Sequence, residues 1–171
     1  MSLLNPKRAQ TKLIVSMSPG IHLRKLQRLL GASFTTTRYH VGNLERDGEI
    51  VRWKDGRYDR LYPAGTAEGM KEVYSVLQSK TARRILQSLS DGGGQDMTNG
   101  DLSDKLHISR STLSEYVAHL CKAGLLRRSL AADGRILFGV EDAQELSRIL
   151  AVFEKNMLSI ATDRFVDLWD I

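Results

Sequence analysis

Residues 33–62 read SFTTTRYHVGNLERDGEIVRWKDGRYDRLY, and this stretch decides the fold. It opens on Ser33, a residue suited to cap the N-terminus of a helix, and the helical pattern ends at Asp47-Gly48. Two β-rich runs follow around Asp55-Gly56, a pair that tolerates the positive φ of a tight hairpin turn. A helix followed directly by a basic hairpin is the layout of a winged helix-turn-helix, so we expect that fold.

The helix of this stretch is predicted to bury one face and expose another. Thr37, Val41 and Leu44 recur at helical spacing and form the expected core stripe. The opposite face is polar, aromatic and basic, which suits the reading of bases in a DNA major groove. It carries Thr35, Thr36, Arg38, Tyr39, Gly42 and Asn43.

The hairpin is expected to form the wing and to contact the DNA backbone. Cations interleave with its aromatic residues, and phosphate contacts of this kind position a protein without specifying sequence. The alternative is a solvated hairpin whose charges protect an edge strand. Alternation along the strands predicts that Trp53 and Tyr58 lie in the core, opposite the cations Arg52, Lys54, Arg57 and Arg60.

Upstream, two shorter helices complete the module. Asn5-Pro6 is a helix start, after which Leu13, Ile14 and Met17 predict an apolar face, and the helix should end by residues 18–20. The second helix ends at Gly31 and has apolar residues at Leu23, Leu26, Leu29 and Leu30.

The pattern then repeats. Ser109 stands 76 residues after Ser33, and Gly124 stands 76 residues after Gly48. The offset is 72 for the first helix, where Ile85 would match Leu13, and 78 at the wing, so its changes fall in loops.

The second copy is predicted to bury Leu113, Val117 and Leu120. Glu115 takes the place of Tyr39, and a carboxylate is unfavourable beside phosphate although it can accept a hydrogen bond from cytosine. DNA binding and bracing of a dimer or partner stay equally open for this copy. Its candidate DNA-binding residues are Arg110, Ser111, Thr112 and Ser114 on the helix, and Arg127, Arg128 and Arg135 on the wing.

Two further helices are expected outside the copies. Residues 66–80 have Met70, Val73, Tyr74 and Leu77 at helical spacing and predict a linker helix. Residues 142–171 predict a long helix whose apolar stripe is too wide for an isolated helix in water. A dimer interface is favoured over packing back onto the chain's own domains. The interface residues would be Leu146, Leu150, Phe153, Met157, Ile160 and Phe165.

Composition and charge narrow the class of protein. The 171 residues are 42% hydrophobic and 26% charged, with no apolar run of 18 residues, which predicts a cytoplasmic protein without a membrane partner. Residues 1–65 carry 12 basic and 5 acidic side chains, a net +7. Residues 66–140 carry 10 and 8, a net +2, and residues 141–171 carry 3 and 7, a net −4. The cationic N-terminal region is therefore the expected DNA-binding half.

Metal and catalytic sites are not expected. Cys121 is the single cysteine, and His119 two residues before it points about 200° away on a helix, so the two cannot share one ion. No nucleophile, base and carboxylate stand at a recognisable spacing, so we predict no catalytic residue, no metal and no cofactor.

The segment SPGIHLRKLQRLLGASFTTTRYHVGNLERDGEIVRWKDGRYDRLYP resembles archaeal transcriptional regulators with two winged-helix domains, ArsR-like or MarR-like. TTTRYHVGNLERDGEI is the most telling part, and ISRSTLSEYVAHLCKAGLL is similar to the same element. The resemblance covers roughly residues 10–140. It implies DNA binding through Thr35, Thr36, Arg38, Tyr39 and the wing-tip Arg57, and such regulators often dimerise through terminal helices.

We therefore expect an α+β, mostly helical protein with winged helices over 1–65 and 81–141, joined by the 66–80 linker and followed by the 142–171 helix. The predicted function is sequence-specific binding of double-stranded DNA by a homodimeric regulator. The alternative is a tandem winged-helix scaffold for protein assembly that does not bind DNA. The operator, the direction of regulation and any small-molecule effector are left open by the sequence.

Overall fold

The computed structural model of the protein describes the backbone of residues 5–91, 93 and 95–169, and the side chains among these up to residue 163. The chain forms two compact units, Met1–Lys71 with Phe153–Ile171, and Glu72–Val152. Each is mostly helical and contains a three-stranded antiparallel sheet. The predicted tandem winged helix-turn-helix fold is confirmed.

The first unit begins with three helices and a wing. Its sheet has the strand order β1-β3-β2, and Asp55 lies opposite Tyr58, so that Gly56 and Arg57 form a two-residue loop. Gly56 has φ +56°, as the first position of such a loop requires. The elements are α1 (Pro6–Met17), β1 (Ile21–His22), α2 (Leu23–Leu30), α3 (Phe34–Arg46), β2 (Ile50–Asp55) and β3 (Tyr58–Pro63).

The start and the buried face of α3 agree with the sequence pattern. Ser33 Oγ accepts a hydrogen bond of 3.1 Å from the backbone N–H of Thr36, which caps the helix. Thr37, Val41 and Leu44 are buried, and the Thr37 hydroxyl donates to the Ser33 carbonyl at 2.9 Å. These contacts anchor one side of α3 in the core and leave the other side exposed.

The buried face of α1 differs from the prediction. Leu13 is 54% exposed, whereas Thr11, Ile14 and Val15 are buried. Thr11 enters the core because its hydroxyl donates to the Lys7 carbonyl at 2.7 Å, which satisfies its polar group. The predicted face was therefore wrong by a small rotation about the helix axis.

The second unit repeats this order. Its sheet is β4-β6-β5. The preceding helix ends at Leu77, the next begins at Lys80, and Ser79 Oγ accepts from Ala82 N at 3.3 Å, so residue 79 caps a new helix. The preceding helix, α4 (Glu68–Leu77), begins in the first unit and ends in the second. The other elements are α5 (Lys80–Asp91), β4 (Met97–Thr98), α6 (Asn99–Leu106), α7 (Arg110–Lys122), β5 (Leu126–Leu130) and β6 (Ile136–Val140).

The repeat is seen directly in the element bounds. Phe34 and Arg110 begin helices of 13 residues each, and the two lie 76 positions apart. In the first helices, however, the buried Thr11 and Ile14 match Ala82 and Ile85 at an offset of 71 rather than 72. The wing offset grows to 78 because residues 131–135 separate β5 from β6, whereas two residues separate β2 from β3.

The last element, α8 (Ala143–Trp169), contributes to both units. Leu146, Leu150, Phe153 and Ile160 are buried within the chain, and Ile160 belongs to the core of the first unit. Met157 is half-buried, and its sulfur accepts a hydrogen bond from Ser18 Oγ at 3.4 Å. For these residues the structure follows the alternative in which the tail packs on its own chain. The side chain of Phe165 lies outside the described residues.

Within the described part of the chain, no helix combines the length and apolar character needed to cross a bilayer.

Candidate nucleic-acid interface

The outer face of α3 is accessible over its first two turns. Thr35, Arg38 and Tyr39 are exposed, with Tyr39 at 63%. The guanidinium carbon of Arg38 lies 6.0 Å from the centre of the Phe34 ring, which is itself 42% exposed. An arginine and a tyrosine on an exposed helix face provide hydrogen-bonding groups that can reach base edges.

Two predicted DNA-binding residues of α3, Thr36 and Asn43, are less accessible to DNA. Thr36 is half-buried, and its hydroxyl accepts a hydrogen bond from Ser33 Oγ at 2.8 Å, so it supports the cap. Asn43 is half-buried and lines a groove of about 600 Å³ between α1 and α3, together with Leu13 and Tyr39. The structure therefore groups Thr35, Arg38 and Tyr39 outward and turns Asn43 toward α1.

Sequence reasoning missed the contribution of α2. Arg24, Gln27 and Arg28 line an open depression of about 540 Å³, which Phe34 of α3 completes. Arg24 and Arg28 are four residues apart on the exposed side of a helix that buries Leu26 and Leu30. This four-residue spacing is the sequence signal that could have identified the two arginines. Arg46, at the end of α3, is also exposed and was missed.

Two of the four predicted wing cations, Arg52 and Arg60, are paired with carboxylates of the first unit. Arg52 donates to both carboxylate oxygens of Glu45 at 2.9 and 2.8 Å and to Asp59 at 3.2 Å. Arg60 donates to Asp55 at 2.6 Å and to the Gly20 carbonyl at 3.0 Å. The carboxylates raise the pKa of Arg52, above all through the Glu45 hydrogen bonds. These guanidinium groups brace the wing, which corrects the expectation that all four cations are free for phosphate.

The remaining wing cations, Lys54 and Arg57, are exposed and form no ion pair with a described carboxylate. Tyr58 is 57% exposed, so its predicted core position was wrong. It lies at the tip of the hairpin, beyond the core, with its ring 5.7 Å from that of His22. Trp53 is half-buried, 6.2 Å from the ring of Tyr62.

The charges of residues 5–65 are distributed unevenly. All five carboxylates of this region are paired, to Arg8, Lys12, Arg52 or Arg60. These four cations lie on α1 and on the two strands of the wing. Lys7 on α1 is exposed without a described carboxylate partner, and its ammonium group donates to the Leu30 carbonyl at 2.9 Å. The other exposed cations without a described carboxylate partner are Arg24, Arg28, Arg38, Arg46, Lys54 and Arg57. We call these six residues the cationic face.

The pKa of His22 responds to the positive charge around it. His22 caps α2 by accepting the N–H of Lys25 at its Nδ1, at 3.2 Å. Partial burial lowers its pKa first, and the positive charges of Arg60, Lys25, Arg28 and Arg24 lower it further. The nearby positive charges, unlike the burial, would also attract an anion.

The second copy presents different chemistry on α7. Ser111 and Thr112 are exposed, but the Thr112 hydroxyl accepts from Ser109 Oγ at 2.8 Å. Ser114 accepts from Asn99 Nδ2 at 2.8 Å and donates to the Arg110 carbonyl at 2.8 Å. These polar groups already have partners in the chain.

The second wing is also partly neutralised. Arg127 pairs with Asp96 at 2.9 Å, and Arg135 pairs with Asp133 at 2.7 Å. Arg128 is exposed, with its guanidinium 6.0 Å from the Phe138 ring. The structure thus leaves fewer free cations here than on the first wing and α2.

The helices of the second unit add exposed carboxylates. Asp104 on α6 and Glu115 on α7 are exposed and form no ion pair with a described cation. They stand 76 residues after Arg28 and Tyr39. Negative charge at these two positions repels a phosphate backbone.

The described residues contain no group of three or more histidine, cysteine, aspartate or glutamate side chains placed to hold a metal ion. Burial raises the pKa of the Cys121 thiol, which disfavours the reactive thiolate.

Comparison with known proteins gives the class of both modules. The chain carries two helix-turn-helix domains in tandem, and each lies in a region that matches a family model. Residues 5–73 match a model described as an N-terminal helix-turn-helix domain, and residues 79–136 match the MarR family. MarR-type proteins are transcriptional regulators and not enzymes. The ArsR-like half of the predicted resemblance stays a prediction.

Solved structures with similar folds include a MarR family protein from Bacillus stearothermophilus, 21% identical over 75% of this chain and 74% of that one, with a TM-score of 0.40. A possible transcriptional regulator from Methanosarcina mazei Go1 is 15% identical over 71% and 98%, with a TM-score of 0.38. ScpB from Mycobacterium tuberculosis is 16% identical over 84% and 93%, with a TM-score of 0.32. No curated protein matches the chain in sequence.

Proposed function

We propose that the protein is a transcriptional regulator that binds double-stranded DNA sequence-specifically through its first unit. In this proposal α3 enters the major groove, while α2 and the tip of the first wing contact the flanking backbone. A protein with this task works where the genome is, so we place it in the cytoplasm.

The observation that carries the proposal is the charge pattern of the first unit. Its carboxylates all pair with cations of α1 and the wing strands, and, apart from Lys7 on α1, its exposed cations without a carboxylate partner lie on α2, α3 and the wing. Cations left without carboxylate partners are available to displace the counterions of a phosphate backbone. The described residues of the tail leave this face open, because Arg38 and Tyr39 are exposed while Ile160 packs with the core.

The residues of the face divide by role. Arg38 is long enough and has the planar fork needed to donate two hydrogen bonds to the O6 and N7 atoms of guanine. Thr35 and Tyr39 flank it on the same exposed face. Arg24, Arg28, Lys54 and Arg57 lie to the side and are assigned to phosphates, which set affinity and register.

We also propose a homodimer, which would present two copies of α3 to a roughly palindromic site about 34 Å apart or a multiple of this. The predicted interface residues of α8 are mostly buried within the chain. Among the described residues, the interface is therefore assigned to the side of α8 that carries Leu158, which is 70% exposed. Size measurement by light scattering on the parent and on Leu158→Glu tests this, and an unchanged dimer in the variant contradicts the assignment.

The proposal is tested by equilibrium DNA binding. A duplex is first selected from a random pool with the whole protein, and affinity is then measured by fluorescence anisotropy over a range of salt. Arg38→Ala is expected to weaken binding to the selected duplex by about 1–3 kcal/mol and to affect a random duplex less. Arg57→Ala is expected to weaken both duplexes alike and to reduce the slope of affinity against salt by about 1.

Arg148→Ala is the matched control, since it removes the same charge from an exposed arginine on α8. It should leave binding unchanged. If both Arg38→Ala and Arg57→Ala bind like the parent at low salt, the face is wrongly assigned. If the parent binds no duplex at low salt, the function is wrong and the scaffold alternative is favoured.

For the second unit, exposed Asp104 and Glu115 favour contact with protein over contact with DNA. We propose that this unit does not read bases.

A further inference from the structure

The exposed face of α3 has a glycine at its centre. Gly42 follows Tyr39 by three residues and Arg38 by four, and it precedes Arg46 by four, so all of them share one side of the helix. A glycine inside a helix destabilises it relative to alanine because the unfolded backbone loses more freedom. Such a residue needs a reason.

The fold does not supply one. Gly42 has no positive φ, so its backbone conformation is open to any residue. A Cβ at this position would meet no described atom within 4 Å, apart from its two chain neighbours and the backbone of its own helix. Alanine would therefore fit in the free protein.

The second copy shows independently that alanine is compatible with this position of the helix. Position 118 of α7 corresponds to position 42 at the offset of 76, and it holds an exposed alanine. The second copy forms a helix of the same 13-residue length with that alanine in place. Only the copy with the cationic face has the glycine.

We infer that Gly42 is a specificity-determining position at which the backbone of α3 approaches the floor of the DNA major groove. The inference rests on the proposed function. A helix with side chains is about 10–12 Å wide and the major groove is about 12 Å wide, so the fit is tight and one side chain decides the depth. The absent Cβ lets the flanking Arg38 and Tyr39 reach the base edges.

The test uses the whole protein with Gly42→Ala and Gly42→Leu, the duplex selected with the parent, and a random duplex. Alanine and leucine both have a higher helix propensity than glycine, so Gly42→Ala should raise the Tm by about 2–4 °C. The same variant should bind the selected duplex at least about tenfold more weakly, Gly42→Leu should bind more weakly still, and the random duplex should lose less. A gain in stability together with a loss of selective binding is not expected from a structural role.

Gly69→Ala is the control, because Gly69 also lies in a helix and the added Cβ would enter open space. It should raise the Tm without changing DNA binding. If the parent binds the selected duplex and Gly42→Ala binds it equally well, the inference is overturned while the proposed function stands. If the parent binds no DNA, both are overturned.

Discussion

The two winged helices of this chain share one scaffold and differ in almost every exposed residue of the helices that would meet DNA. Both third helices have 13 residues and a serine cap, and both bury a leucine at the same place, Leu44 or Leu120. The first copy then exposes Arg28 and Arg38 where the second has Asp104 and Ser114. The buried positions therefore specify the fold, and the exposed positions are free to differ in function.

The largest predicted effect concerns what the copies share. Leu44→Ala and Leu120→Ala each remove a fully buried side chain, so each should lower the free energy of unfolding by about 2–5 kcal/mol. Urea unfolding of the two variants measures this. A loss below about 1 kcal/mol in only one of them would mean that the two cores are not equivalent.

Much of this shared scaffold could be predicted from the sequence, since caps, periodicity and the 76-residue repeat are local or nearly local signals. The inward face of α3 and the ends of the wing follow from such patterns. The exposure of Leu13 and burial of Thr11 could not be predicted, because they depend on the rotation of α1 against its neighbours.

The charge pairing was equally hidden. Arg52 meets Glu45 across the junction of α3 and β2, and Asp59 across the hairpin, and neither contact follows from sequence spacing. Sequence spacing alone therefore predicts too many free cations on the wing and none on α2. The apolar stripe of α8 indicated a partner surface, but only the folded chain identifies that surface as partly its own core.

The next prediction exchanges a charge between the copies. Arg28→Asp places the residue of the second copy on α2 and should weaken binding to every duplex by about 1.5–3 kcal/mol, as expected for loss of a hydrogen bond to a charged group. The reciprocal Asp104→Arg removes a repulsive carboxylate and should not reduce binding. Anisotropy at several salt concentrations checks both, and an Asp104→Arg variant that binds more tightly, with a steeper dependence on salt, would place the second unit on DNA.

The caps of α2 and α6 differ in their response to acid. His22 caps α2 with Nδ1, whereas Thr98 caps α6 with a hydroxyl that does not titrate. The pKa of His22 is lowered in the folded state by partial burial and nearby cations, so the unfolded state binds the proton more readily. Stability contributed by this cap is present above about pH 6.5, the unfolded pKa, and is lost as the pH falls below it.

His22→Thr should therefore remove an acid-induced decrease of about 0.5–2 kcal/mol in the free energy of unfolding, which is the usual contribution of an N-cap. Urea unfolding at about pH 7.5 and about pH 5.5 compares the variant with the parent. An identical loss of stability in both proteins would show that another group is responsible.

The smallest predicted effect lies at the other end of the same helices. Gly31 ends α2 with φ +59°, and His107 ends α6 with φ +55°. A side chain in this left-handed conformation is strained, so His107→Gly should stabilise the protein by up to about 1 kcal/mol. Thermal unfolding measures the change, and a decrease in Tm would mean that the His107 side chain makes a compensating contact.

The most direct test of the account exchanges the exposed residues themselves and measures affinity for the selected and a scrambled duplex by anisotropy. The variant Arg38→Ser with Tyr39→Glu should lose its preference for the selected duplex by at least about tenfold. The reciprocal variant, Ser114→Arg with Glu115→Tyr, should keep that preference. The opposite result, with selectivity lost only in the second variant, would contradict the claim that the first unit reads the DNA.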